Sequence, residues 1–122
     1  MATEFGRFVR KLRVDHDEVL KDMANKLEVS SSFLSSLENG RKKIPESLSG
    51  RLIEQYGLNQ EEQTRLFDAV NMSNNEVKLN LTMLDDKTRT MAVSFARRFE
   101  ELDDEEIQDI IRILRGDEDN NG

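Results

Sequence analysis

The chain has no cysteine, which excludes disulfides and cysteine-based zinc sites. It has a single histidine, His16, set in a charged turn between Asp15 and Asp17. With no second imidazole and no thiol to join it, His16 reads as a solvated turn residue. No metal and no cofactor are expected. Neither a Ser-His-Asp order, a glycine-rich phosphate loop nor a dinucleotide motif occurs, so enzymatic activity is not expected. Long apolar runs are missing too, as is a secretory signal pattern. The expectation is a reducing, cytoplasmic location with no membrane partner. Without such a signal, the sequons Asn71-Met72-Ser73 and Asn80-Leu81-Thr82 carry no weight. At 122 residues the chain can hold one domain, or a small domain plus an assembly element.

The net charge of −7 argues against general affinity for nucleic acid, but its distribution changes that reading. Residues 1–58 are close to neutral, at net +1, and include the cluster Arg41-Lys42-Lys43, whereas residues 59–122 are net −8 and carry all of the net acidity. Neutralising a phosphate backbone needs only a local basic rim. The acidic carboxylates at 103–106 stand at a helix start, where they serve the macrodipole and solvent. Asp117 to Gly122 resembles the opening of a calcium loop, but the bidentate Glu that such a loop requires is not there.

Periodicity predicts a mainly α chain. A first helix is expected over about 4–13, with Phe5, Phe8, Val9 and Leu12 inward, and a second over about 18–27. Met23, Ala24 and Leu27 form the stripe of the second helix. Val29 sits in the turn that follows. Ser30 is a suitable N-cap for a third helix over 31–38, whose stripe is Leu34 and Leu37. Pro45 opens a fourth helix bearing Leu48, Leu52, Ile53 and Tyr56, and Gly57 ends it. Asn59 and Glu62 have capping-box spacing for a fifth helix over about 60–71, with Leu66, Phe67 and Val70 inward.

Asn71 to Asn75 reads as a polar hinge. Val77, Leu79 and Leu81 then alternate with Lys78, Asn80 and Thr82, a strand pattern. A lone strand needs a backbone partner: either the same strand of a second subunit pairs with it, or the segment is an extended linker packed on its own domain. A sixth helix is expected over about 86–101, bearing Met91, Ala92, Phe95 and Phe99, with Leu102 completing the stripe. Asp103 caps a seventh, with Glu106 at the capping-box position and the apolar face Ile107, Ile110, Ile111 and Leu114. The expected organisation is a five-helix domain over 1–72, a strand plus two-helix dimerisation unit over 73–116, and a disordered tail over 117–122.

Residues 17–45 are the most informative. Two short helices joined by a tight turn, with a small residue (Ala24) at their crossing, match what a helix-turn-helix needs in order to dock in a major groove. The second of these helices offers Ser31, Ser32 and Ser36 outward and ends at Asn39-Gly40, ahead of Arg41, Lys42 and Lys43.

The motif Met23-Ala24-Asn25-Lys26-Leu27-Glu28-Val29-Ser30, then Leu34-Ser35-Ser36-Leu37-Glu38-Asn39-Gly40, then Arg41-Lys42-Lys43-Ile44-Pro45 resembles the Cro/C1-type phage repressor family, the XRE-type regulators. The resemblance covers about residues 5–70 and implies a five-helix lambda-repressor-like domain. Two positions depart from the family pattern. Glu28 replaces a turn glycine at a position that tends to left-handed geometry, a cost on the order of 1 kcal/mol. Leu20 replaces a phosphate-contacting Gln and instead has helical spacing to pack with Ala24. The resemblance also implies that Arg13 and Glu38 form an ion pair joining the third helix to the first.

The leading expectation is a dimeric, sequence-specific DNA-binding transcriptional repressor acting on an inverted repeat of double-stranded DNA. Ser31, Ser32, Ser36 and Phe33 would read bases, while Asn39, Arg41, Lys42 and Lys43 hold phosphates. Val77, Leu79, Leu81, Ile107, Ile110, Ile111 and Leu114 would make the homodimer. Plainer readings stand beside these: the serines as small residues on a solvated face, and Phe33 as the edge of the core. Two rivals remain. One is an antitoxin whose acidic carboxy-terminal half neutralises a toxin. The other is a protein-interaction module that keeps the helix-turn-helix as scaffold. Cleavage of the carboxy-terminal part by a partner metallopeptidase is a further form of regulation open to such a chain.

Overall fold

The computed structural model describes residues 2–116. The chain divides into two compact units, with the boundary between Lys78 and Leu79. The first unit begins where the Thr3 hydroxyl accepts from Gly6 N at 3.1 Å, capping α1 (Glu4–Asp15). Then come α2 (Leu20–Leu27), α3 (Ser31–Glu38), α4 (Glu46–Tyr56) and α5 (Gln60–Asn74). Each start has a local cause. The Asp22 carboxylate accepts from Val19 N at 2.9 Å, Ser30 Oγ accepts from Phe33 N at 3.0 Å, and Asn59 and Glu62 exchange side-chain and backbone bonds. These satisfy amide donors that a helix start leaves unpaired. Gly57 closes α4 with a positive φ of 56°.

The five helices share one core. Phe5, Val9, Met23, Leu27, Leu34, Leu37, Leu52 and Leu66 are all fully buried, and each contributes about 1.5–3 kcal/mol of burial. α1 packs along α5 and across α3, while α2 packs on α3 and α4. Two small residues permit the close crossings. Ala24 is buried between α2 and its neighbours, and a Cβ on Gly6 would overlap the Glu38 carbonyl oxygen of α3.

The polar stretch Asn71–Asn75, expected as a hinge, is the last turn of α5, with Asn75 as its left-handed cap. Its polar side chains serve distant backbone groups. Ser73 Oγ accepts from Phe5 N at 3.0 Å. Asn74 accepts from Ile44 N at 2.9 Å and donates to Ile44 O at 3.1 Å. Phe67, expected inward, is half exposed, and Leu66, Ala69 and Val70 form the buried face instead.

The expected strand over 76–82, carrying Val77, Leu79 and Leu81, is not formed. No strand occurs among the described residues, all of whose regular elements are helical. Alternation of side chains does not supply a backbone partner, and among the described residues none lies beside this segment. Asn80 turns the chain locally instead, its Oδ1 accepting from Thr82 N at 2.9 Å and from the Thr82 hydroxyl at 2.6 Å. Such an Asx turn competes with ladder bonding. Val77 and Leu79 are exposed, so the packed-linker alternative does not describe them either.

The second unit holds α6 (Asp86–Arg98), a 3-10 turn at Phe99–Glu101 and α7 (Asp104–Arg115). Asp85 caps α6 through Thr88 N at 2.8 Å. Asp103 and Glu106 cap α7 reciprocally at 2.8 and 3.1 Å. Of its described residues only Ala92 is buried. The expected tail 117–122 lies outside the described residues.

Candidate nucleic-acid interface

The α2–α3 turn is set by its backbone. Glu28 adopts φ 59° and ψ 41°, the left-handed region, and Val29 N donates to Ala24 O at 3.0 Å. This is the geometry a turn glycine would adopt freely. Arg51 of α4 donates to Leu27 O at 2.9 Å, satisfying a carbonyl at the end of α2. The turn lets Leu34 and Leu37 reach the core while the opposite side of α3 stays accessible. Ser32 is exposed there, and Ser31, Phe33 and Ser36 are half-buried. Ser30 Oγ and Ser32 Oγ lie 3.4 Å apart, leaving each hydroxyl with spare bonding capacity.

Phe33 packs on the core with one part of its ring, and Lys42 Nζ sits over that ring at 5.4 Å from the centroid. The aromatic therefore bridges the core edge and the basic loop. Cation–π contact of this kind fixes an otherwise flexible lysine.

The far end of α3 is anchored by charge. Glu38 is 2 % exposed. Its carboxylate accepts from Arg13 Nη1 at 2.7 Å and Nη2 at 3.0 Å, and from Arg10 Nε at 3.3 Å. Its backbone carbonyl accepts from Thr3 N at 3.1 Å and Thr3 Oγ1 at 3.0 Å. The bidentate Arg13 contact fixes direction as well as distance, so α3 is locked to α1.

The basic loop leaves α3 through Gly40, whose φ is 74°, and Arg41 N donates to Ser36 O at 2.9 Å. Asn39 is turned back on its own helix, donating to Ser35 O at 3.0 Å. That leaves less of its amide for a phosphate. Arg41 is exposed, with no ion pair among the described residues. Lys43 Nζ pairs with Glu76 at 2.6 Å. The Lys43 ammonium, by hydrogen bond and by charge, holds the Glu76 carboxyl below its ordinary value.

Ser31, Ser32, Phe33 and Ser36 thus share a helix with Arg41 and Lys42 close behind, and Arg13 and Glu38 meet. Val77, Leu79 and Leu81 lie in irregular chain, and Ile107, Ile110, Ile111 and Leu114 belong to the second unit. Sequence reasoning missed Arg10, Asn74 and Glu76. Arg10 lies three residues before Arg13, one helical turn away, a spacing that marks it as a second candidate for Glu38. Asn74 and Glu76 give no local signal, because their partners are 30 and 33 residues earlier.

A second polar cluster steadies the other end of the motif. Tyr56 OH donates to Glu18 at 2.6 Å, and Lys26 pairs with the same carboxylate while lying 4.8 Å from the Tyr56 ring centroid. His16 meets that ring edge-on. Burial opposes ionisation of Glu18, but the bonds from Lys26 and Tyr56 outweigh it and hold its carboxyl below the ordinary value. Burial, then the Glu18 carboxylate, push the Tyr56 hydroxyl well above its own.

Among the described residues no group of three or more metal-ligating side chains gathers, and no helix is long and apolar enough to cross a membrane. No curated protein and no solved structure matches the chain. Residues 4–66, just over half of the chain and spanning α1 to α4 and the first half of α5, match the family described as a helix-turn-helix domain. The chain belongs to the helix-turn-helix domain family.

Proposed function

We propose that this protein is a sequence-specific DNA-binding transcriptional regulator of the Cro/C1 type, acting as a dimeric repressor on an inverted-repeat operator. The observation that carries the reading is α3 itself. It is locked to α1 by the Arg13–Glu38 pair, carries a serine-rich accessible face, and is followed at once by Arg41 and Lys42. Its eight residues span roughly 12 Å, a length that fits a major groove of similar width.

Ser32 and Ser36 offer short donor-acceptor hydroxyls to base edges. Phe33 can meet a thymine methyl at its exposed edge while its other side stays on the core. Arg41 and Lys42 neutralise phosphate. Lys43 does so when it exchanges Glu76 for DNA. A second copy doubles the contact and sets the half-site spacing at about one helical turn, roughly 34 Å.

Selection from a random DNA pool tests the reading. The expected result is a palindromic consensus. Recovery of sequences without a common motif would remove sequence-specific binding. A consensus without two-fold symmetry would remove the dimeric repressor.

A further inference from the structure

The second unit cannot hide its own apolar side chains. Residues 79–116 bury only Ala92, far less than a stable unit requires. On α7, Ile107 is 37 % and Leu114 78 % exposed, and no residue is buried. Yet Ile107, Ile110, Ile111 and Leu114 recur at helical spacing and make one continuous stripe.

The charges on α7 indicate what covers that stripe. Asp104 opens the helix and Arg115 closes it. They are eleven residues apart, about three turns, so they lie on the same flank of the stripe. Neither has an ion-pair partner among the described residues, whereas Arg112 is already paired with Asp109 at 2.7 Å. Turning one α7 end over end against another places Ile107 opposite Leu114 and Ile110 opposite Ile111. The same operation brings each Asp104 to the Arg115 of the other helix. A parallel two-fold pairing would instead put the two copies of this flank on opposite sides of the seam, where Asp104 and Arg115 cannot meet. The helix is complementary to its own reverse, as a two-fold interface requires.

We infer that α7 is the dimer interface, pairing antiparallel with α7 of a second copy and flanked by two Asp104–Arg115 ion pairs. The step deepens the dimeric reading above and rests on it, and it needs no DNA to be tested. Sedimentation equilibrium of the full chain at low salt supplies the measurement. The wild type is expected to be a dimer. Arg115→Glu and Asp104→Lys should each weaken dimerisation about tenfold, since each removes two exposed pairs and adds repulsion. The double exchange Asp104→Lys/Arg115→Glu should recover to within about threefold of wild type, although both changes oppose the dipole of their own helix.

Ile111→Asp should give a monomer. Helical content measured by circular dichroism separates loss of pairing from loss of the helix. A wild type that sediments as a monomer would overturn the dimer reading itself. A dimer indifferent to Arg115→Glu and Ile111→Asp would overturn the α7 interface alone. Single exchanges that weaken the dimer without recovery in the double would overturn the antiparallel arrangement.

Discussion

Glu38→Gln should destabilise the amino-terminal unit severely. Glu38 is 2 % exposed and Arg13 has 12 % of its side chain exposed, so the pair sits almost entirely out of water. Removing the charge of one partner leaves the other buried without compensation, a cost of about 3–5 kcal/mol. Arg10 is half exposed and can turn to solvent, which points to the lower end, about 3 kcal/mol. The glutamine amide nitrogen would also present its donors to a guanidinium that has no acceptor. For a unit of this size each kcal/mol moves the midpoint by about 4–8 °C, so thermal unfolding of the full chain should shift down by at least about 12 °C. The double variant Arg13→Met/Glu38→Leu should regain much of that loss, because apolar replacement of a buried pair is often close to neutral. A Glu38→Gln loss below about 1 kcal/mol, the scale of an exposed pair, would refute the account of α3 as a helix anchored by a desolvated charge.

Glu28→Gly should raise stability by up to about 1 kcal/mol, because relief of the left-handed strain exceeds the entropy glycine adds to the unfolded chain; a lower urea midpoint would show that the Glu28 side chain stabilises the turn. The folded-state pKa of Glu18 lies below its ordinary 4.5, so its contribution is present above that pH and is lost as pH falls through the lowered value. Tyr56 titrates above its ordinary 10.0, so its contribution is fully present below pH 10.0 and is lost only as pH rises through the raised value. Urea midpoints measured against pH should show both limbs, and Glu18→Gln should flatten the acid one. Glu76→Gln should tighten DNA binding about two- to fivefold in a chain that keeps Lys43 and leave a Lys43→Ala chain unchanged; equal tightening in both backgrounds would assign the effect to long-range charge rather than to the Lys43–Glu76 pair.

Much of the amino-terminal unit was legible because its signals are local. Ser30, Gly57 and the Asn59–Glu62 pair mark helix ends within four residues of the groups they satisfy. The Asp103–Glu106 pair does the same for α7. The left-handed turn at Glu28 was legible only through the family resemblance, since glutamate itself gives no hint of it.

What failed was non-local. Residues 71–75 looked like a hinge because their polar side chains had no visible partner. Those partners, Ile44 and Phe5, are 30 and 68 residues away from Asn74 and Ser73. Residues 77–82 looked like a strand because a period of two reports which way side chains point, not whether a neighbouring backbone exists. The exposed positions of Ser32 on α3 and Arg41 in the loop after it follow from the motif alone. Lys42 on Phe33 and Lys43 on Glu76 depend on how the loop folds back, which the motif does not encode.

The claim that α3 reads base edges is tested most directly by measuring the affinity of wild type, Ser32→Ala and Ser36→Ala for every single-base variant of the selected operator. Each alanine should erase preference at one or two base pairs in each half-site while leaving the melting temperature unchanged. The loss should be about 1 kcal/mol, the low end of the range for a base-pair mismatch, because a serine makes a single short contact. If both variants keep the wild-type preference at every position, these serines are only the solvated face of a helix, and α3 does not read DNA through them.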